Sequence, residues 1–138
     1  MEDDSLTVNG RRVRCAPGHC KTYNVIYLVQ CTLCLKAYVG RTDQRLHKRL
    51  NEHRSKFYDI IGGGAFDITN DNHSLGIHLI DHGFYEHADF NRIYRICIIE
   101  NCSPKSLEYK ENDYIHLCKT LRPLGLNSIN PFGLKLFH

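Results

Sequence analysis

The sequence predicts a small α/β sandwich in which a three-stranded, mainly antiparallel sheet is flanked by helices, and three observations carry that prediction. Two short runs rich in β-branched and aromatic residues, 24–30 (NVIYLVQ) and 36–40 (KAYVG), stand close enough in the chain to pair as a hairpin. A stripe of Leu46, Leu50 and Phe57 then repeats at helical spacing. Further on, the dense run 92–100 (RIYRICIIE) leads into a segment opened by Ser103-Pro104, a helix-start signal. At 138 residues, with 42% hydrophobic and 24% charged residues, the chain fits one domain with a real core and excludes general disorder. No apolar run approaches the roughly 18 residues that span a bilayer, and the acidic start Met1-Glu2-Asp3-Asp4 is unlike a signal peptide, so an intracellular, membrane-free protein is expected. A net charge of +3 permits nucleic acid as a partner without requiring it.

Taken in order, residues 1–22 show no sustained period and read as an arm carrying at most one short strand. Strands over 24–30 and 36–40 follow, joined through Cys31-Thr32-Leu33-Cys34. Thr42 or Asp43 is the expected cap of a helix that runs to Phe57. The Gly- and Asn-rich stretch 61–74 reads as a loop, 75–82 as a short helix stopped by Gly83, and 92–100 as a central strand buried on both faces. The last helix extends from Ser103 to about Leu121, and Pro123 to Asn127 turns the chain. Gly62-Gly63-Gly64 lacks the Lys-Ser/Thr of a phosphate-binding loop and is a connector.

Polar residues intrude on the apolar faces. In the first helix Leu46, Arg49, Leu50 and His53 share one face, where Arg49 and His53 either snorkel into water or serve a site. In the last helix Leu107, Glu111, Tyr114, Ile115 and Cys118 share a face, and a carboxylate there must be paired, protonated or on a metal. A basic run, Arg41, Arg45, Lys48, Arg49, Arg54 and Lys56, is either a solvated helix face or a track for a DNA backbone.

Seven cysteines, an odd number without a secretory signal, favour metal ligation and core thiols over a disulfide scaffold. Cys31-x-x-Cys34 offers two thiolates, and His78 with His82, at i and i+4, present two rings on one helical face; together they suit a tetrahedral structural Zn²⁺. The competing reading is a pair of reduced thiols and two surface histidines, and His87 or His73 are alternatives to His82. Cys15, His19 and Cys20 lack partners for a second site, and Cys97, Cys102 and Cys118 read as core thiols.

Val25-Ile26-Tyr27, then Tyr38-Val39-Gly40, then Arg49, His53, Glu111 and Asn127 together resemble the GIY-YIG nuclease domain, over roughly residues 24–127. Val25 stands where the first motif has its Gly. The Cys31-x-x-Cys34 insertion, with His78 and His82 downstream, and the phrases NVIYL, YVGRT and PLGLN are similar to the endonuclease domain of Penelope-like retroelements.

The resemblance implies a nuclease domain over 23–130 between an arm (1–22) and a tail (131–138), a catalytic set of Tyr27, Tyr38, Arg49, His53, Glu111 and Asn127, and Mg²⁺ or Mn²⁺ on Glu111. Arg49 would meet the scissile phosphate, Tyr27 or His53 would act as base, and Asn127 would orient Glu111 or the substrate. It further implies DNA as substrate, a reverse transcriptase as fusion partner or companion, and a nuclear location. Two functions are therefore expected to compete: a metal-dependent DNA endonuclease nicking retroelement target sites, and a zinc-stabilised nucleic-acid-binding module whose catalytic set is vestigial.

Overall fold

In the computed structural model, which describes residues 4–128, the central element is strand β3 (Val25–Cys31). It pairs antiparallel with β4 (Ala37–Thr42) on one side and with β5 (Tyr94–Asn101) on the other, giving the expected three-stranded antiparallel sheet in the order β4-β3-β5. All seven residues of β3 are buried because both faces are covered. Its side chains alternate: Val25, Tyr27, Val29 and Cys31 pack under helices α1 (Leu46–Ile61) and α2 (Asp71–Asp81), whereas Ile26 and Leu28 pack on the opposite face with α4 (Leu107–Cys118). The period-2 pattern thus builds a sandwich with two cores.

The sequence-based expectation for β5 needs correction. It is an edge strand, and β3 is the central one. Its free edge is met by the N-terminal segment, where Ala16 N–H donates to the Ile98 carbonyl at 2.6 Å. That segment is no simple arm. Strands β1 (Ser5–Val8) and β2 (Arg11–Arg14) form a hairpin around Asn9-Gly10, both with positive φ, and Leu6, Val8 and Val13 join the α4-side core. Cys15 and Cys97 are joined as a disulfide across 82 residues, which corrects the reading of Cys97 as a core thiol and removes Cys15 from any second metal site. Cys102 and Cys118 are free, the latter buried.

Several boundaries differ from expectation for local reasons. Thr42 remains in the sheet opposite Val25, so α1 starts at Leu46. Asn70 accepts from the Asn72 N–H at 2.9 Å and starts α2 at Asp71, one turn before its apolar residues begin. A five-residue helix, α3 (Asp89–Ile93), precedes β5, and a 3₁₀ turn at Pro104–Ser106 precedes α4, which ends at Cys118. The tail 131–138, with the last two residues assigned to the domain, lies outside the described residues. Among the described residues no helix is long and apolar enough to cross a membrane.

Gly40 is required by packing. A Cβ there would lie 2.4 Å from Cζ of Tyr27, a fully buried ring that cannot step aside. Gly40→Ala should cost about 1–3 kcal/mol through overpacking, checked by the urea midpoint of unfolding.

Candidate active site and candidate metal centre

The two tyrosines come from facing strands. Tyr27 pairs with Gly40 across β3 and β4, and Tyr38 stands two residues earlier on β4, so the rings lie 6.3 Å apart on the α1 side. α1 brings His53 against both, with the Tyr38 and His53 rings 5.3 Å apart. The Tyr27 hydroxyl and His53 Nε2 are 2.8 Å apart. Burial, with the Arg49 charge second, pushes the His53 imidazole down to about 3, so the ring is neutral near pH 7. Its Nδ1 is buried without a hydrogen-bond partner, and the Asn72 backbone acts on the ring as an acceptor would, raising its pKa against burial. We therefore assign the ring proton to Nδ1, so that Tyr27 donates to Nε2.

Burial also drives both phenols upward, Tyr27 against opposing contributions from Arg49 and Tyr38. Unfolded histidine takes up a proton near pH 6.5 and folded His53 near 3, so stability is lost as pH falls between those values. The drop in urea midpoint from pH 7 to pH 4.5 should be smaller in His53→Gln.

A cleft of about 930 Å³ opens beside this group, lined in part by Tyr38, Arg49, Glu111 and Asn127. Four of the six residues expected to act together thus border one cavity. Tyr27 and His53 sit behind it, fully buried, so only one of the two tyrosines expected to line the site does so. Arg49 is held by Glu52 at 2.8 Å and by the Asn72 side chain.

Glu111 is paired. Arg41 Nη1 donates to its Oε1 at 2.7 Å, whereas Oε2 has no hydrogen-bond partner among the described residues. Pairing, the first of the three alternatives open to a carboxylate on that helix face, by itself accounts for its presence. Burial nevertheless raises its pKa to about 7, against the lowering effect of Arg41.

Asn127 does not reach Glu111, one of the two partners expected for it. Its Oδ1 accepts from the Val39 N–H and its Nδ2 donates to the Val39 carbonyl, both at 2.9 Å, while Thr120 donates to the same Oδ1 at 2.6 Å. It clamps β4 beside Tyr38 and is a positioning residue. Sequence reasoning missed Asp71, the first residue of α2, which lines the same cleft and accepts from the Ser128 N–H at 2.6 Å. It also missed Asn112, whose Oδ1 is buried there without a partner. Asp71 has a faint sequence signal in the Asn70 cap before it; Asn112 has none beyond adjacency to Glu111.

Among the described residues the cleft is lined by five carboxylates and only two cationic side chains, Arg41 and Arg49. The remaining members of the basic run lie outside it. Arg45 lies over the Tyr23 ring at 4.9 Å, Arg54 bonds Asn51 and Asn91 and covers Phe90, and Lys48 and Lys56 are exposed on α1.

On the same side of the sheet, Cys31 ends β3 and Cys34 follows in the turn to β4, where Leu35 takes positive φ and its N–H bonds the Cys31 carbonyl at 2.9 Å. α2 presents His78 and its C-cap residue His82 to this turn, and the Tyr94 hydroxyl ties that helix to β5 by donating to the Leu75 carbonyl at 2.6 Å. One ligand atom from each of Cys31, Cys34, His78 and His82 lies within 4.8 Å of all the others, with Cys34 Sγ 3.3 Å from His78 Nε2. The four form a cluster that could bind a metal such as zinc. Burial lowers His78 to about 4, which keeps the ring neutral and its lone pair available. His73 instead accepts from the Asp67 N–H, and His87 stacks on Tyr58 at 3.9 Å, so neither belongs to the cluster.

Compared with known proteins, the chain matches no family model, no curated protein and no solved structure.

Proposed function

We propose that this chain is a metal-dependent DNA endonuclease of the GIY-YIG type that hydrolyses phosphodiester bonds, nicking at retroelement target sites and working with or fused to a reverse transcriptase in the nucleus. The observation that carries the reading is the cleft itself, where Tyr38, Arg49 and Glu111, far apart in sequence, border one cavity backed by the Tyr27 and His53 pair. Glu111 fits a Mg²⁺ or Mn²⁺ ion: it supplies a hard oxygen ligand with a free Oε2 in a carboxylate-rich cleft. When bound, such an ion would neutralise developing charge on phosphate oxygens and acidify water.

The chain's own residues supply the rest. Arg49 turns its fork from Glu52 to the phosphate, where charge grows in the transition state. Tyr38, at the cleft wall, accepts a proton from the attacking water. It passes its own proton to Tyr27, and Tyr27 passes one to His53 Nε2 along the hydrogen bond already in place. A relay of this kind avoids a free tyrosinate, which burial makes costly. A phosphate on Arg49 cancels the second cause of the low His53 pKa, although burial, the first, persists.

The Cys31, Cys34, His78 and His82 cluster would hold a structural Zn²⁺, since four protein donors leave no open position for water.

The rival reading, a zinc-stabilised nucleic-acid-binding module with vestigial catalytic residues, draws support from Arg41 already occupying Glu111. Nicking of supercoiled plasmid in Mg²⁺, absent without it, supports the enzyme; tight DNA binding without nicking supports the module. In either case the exposed cations of α1 contact phosphates, so affinity for a DNA duplex should fall about tenfold or more between 50 and 200 mM salt. A flat dependence in a fluorescence-anisotropy titration would contradict both.

A further inference from the structure

The two cations of the cleft are both engaged by the protein's own side chains, Arg49 with Glu52 and Asn72, and Arg41 with Glu111. Arg41 follows Gly40 on β4, and its side chain is 42% exposed while that of Glu111 is 18% exposed. Its second nitrogen reaches only the rim residue Glu108, at 3.9 Å with that carboxylate 79% exposed. A bridge with one partner this exposed adds little stability, so the arginine can leave at small cost. Glu111 is the more enclosed partner, on α4 in the lining of the cavity.

We propose that Arg41 is an exchangeable counter-ion: it holds the Glu111 carboxylate until a divalent cation takes that place, and then turns to the substrate phosphate. The inference rests on the nuclease reading above and extends it to the order in which the cleft is loaded. A guanidinium and a divalent cation on one carboxylate repel each other, and a phosphate placed between them converts that repulsion into two attractions. Arg41 therefore disfavours the cation when no DNA is present and favours it when DNA is bound. By linkage, cation and DNA raise each other's affinity by the same factor.

The test uses zinc-loaded protein in chelator-free buffer, so that the Cys and His cluster is left undisturbed. With Mn²⁺ as probe and no DNA, Arg41→Ala should bind the ion about tenfold more tightly than wild type, and Glu111→Gln should lose that binding. With a short DNA duplex and no added divalent cation, Arg41→Ala should bind DNA almost as wild type does, because its arginine was already occupied. Glu111→Gln should bind about tenfold more tightly, since it frees Arg41, and the double variant should lose this gain.

If the gain persists in the double variant, removal of cleft charge explains it and the exchange is overturned. Unchanged or weaker Mn²⁺ binding by Arg41→Ala also overturns it, while leaving the nuclease reading intact. Failure of every variant, wild type included, to bind DNA would overturn both.

Discussion

Loss of the Cys31, Cys34, His78 and His82 donor set should produce a large loss of stability. Purified protein is expected to carry about one zinc per chain under this four-ligand scheme, and Cys34→Ser and His78→Ala should each remove it and lower the melting temperature by about 10 °C or more. Two features of the fold make the effect large. Cys31 and Cys34 stand at the start of and within the turn between the strands that carry Tyr27 and Tyr38, and the histidines sit in the last turn and at the C-cap of α2, whose leading segment 62–70 is a loop. One ion would therefore tie the hairpin to the helix. Cys34→Ser without the ion keeps a buried Cys31 thiol beside two close imidazoles, whose ring centroids are 4.5 Å apart. Elemental analysis and calorimetry check both points; a stable wild-type protein without metal would leave the cysteines as ordinary thiols. The hairpin also carries both phenols, so activity should fall after stability does.

Glu111→Ala is expected to lower plasmid nicking by about a thousandfold or more, the scale on which removal of a key electrostatic group acts, while leaving the fold intact. The fold survives because the lost partner, Arg41, is exposed enough to be solvated. The pH dependence has a definite sign. Burial raises Glu111 to about 7, so below that value a proton competes with the cation for the carboxylate, and nicking should decline as pH falls from 8 to 6. Undiminished nicking by Glu111→Ala would exclude the carboxylate from the chemistry.

What sequence reasoning determined here is what short periods encode. The alternation along 25–31 places Tyr27 on one face of the sheet, and the i, i+3, i+4, i+7 stripe of α1 places Arg49 and His53 toward that same face. The spacings of Cys31 with Cys34 and of His78 with His82 are local too, whereas the meeting of the two pairs, with Cys34 and His78 44 positions apart, is tertiary. One local signal was overlooked: Asn9-Gly10 between Val8 and Arg11 is a hairpin turn, yet the segment reads as an arm because its strands are only four residues long.

Only tertiary structure decided the rest, because those contacts join residues whose separation leaves no periodic trace. Arg41 meets Glu111 across 70 positions, Asn127 clamps Val39 across 88, and Cys15 joins Cys97 across 82. The run 94–101 is as apolar as a central strand, yet it sits at the edge, since composition records how much of a strand is covered and not whether a strand, a helix or the N-terminal hairpin covers it. The same limit applies to charge: the basic run is plain in the sequence, but which of its members face the cleft depends on the packing of α1 and α4 against the sheet, and that packing admits only Arg41 and Arg49.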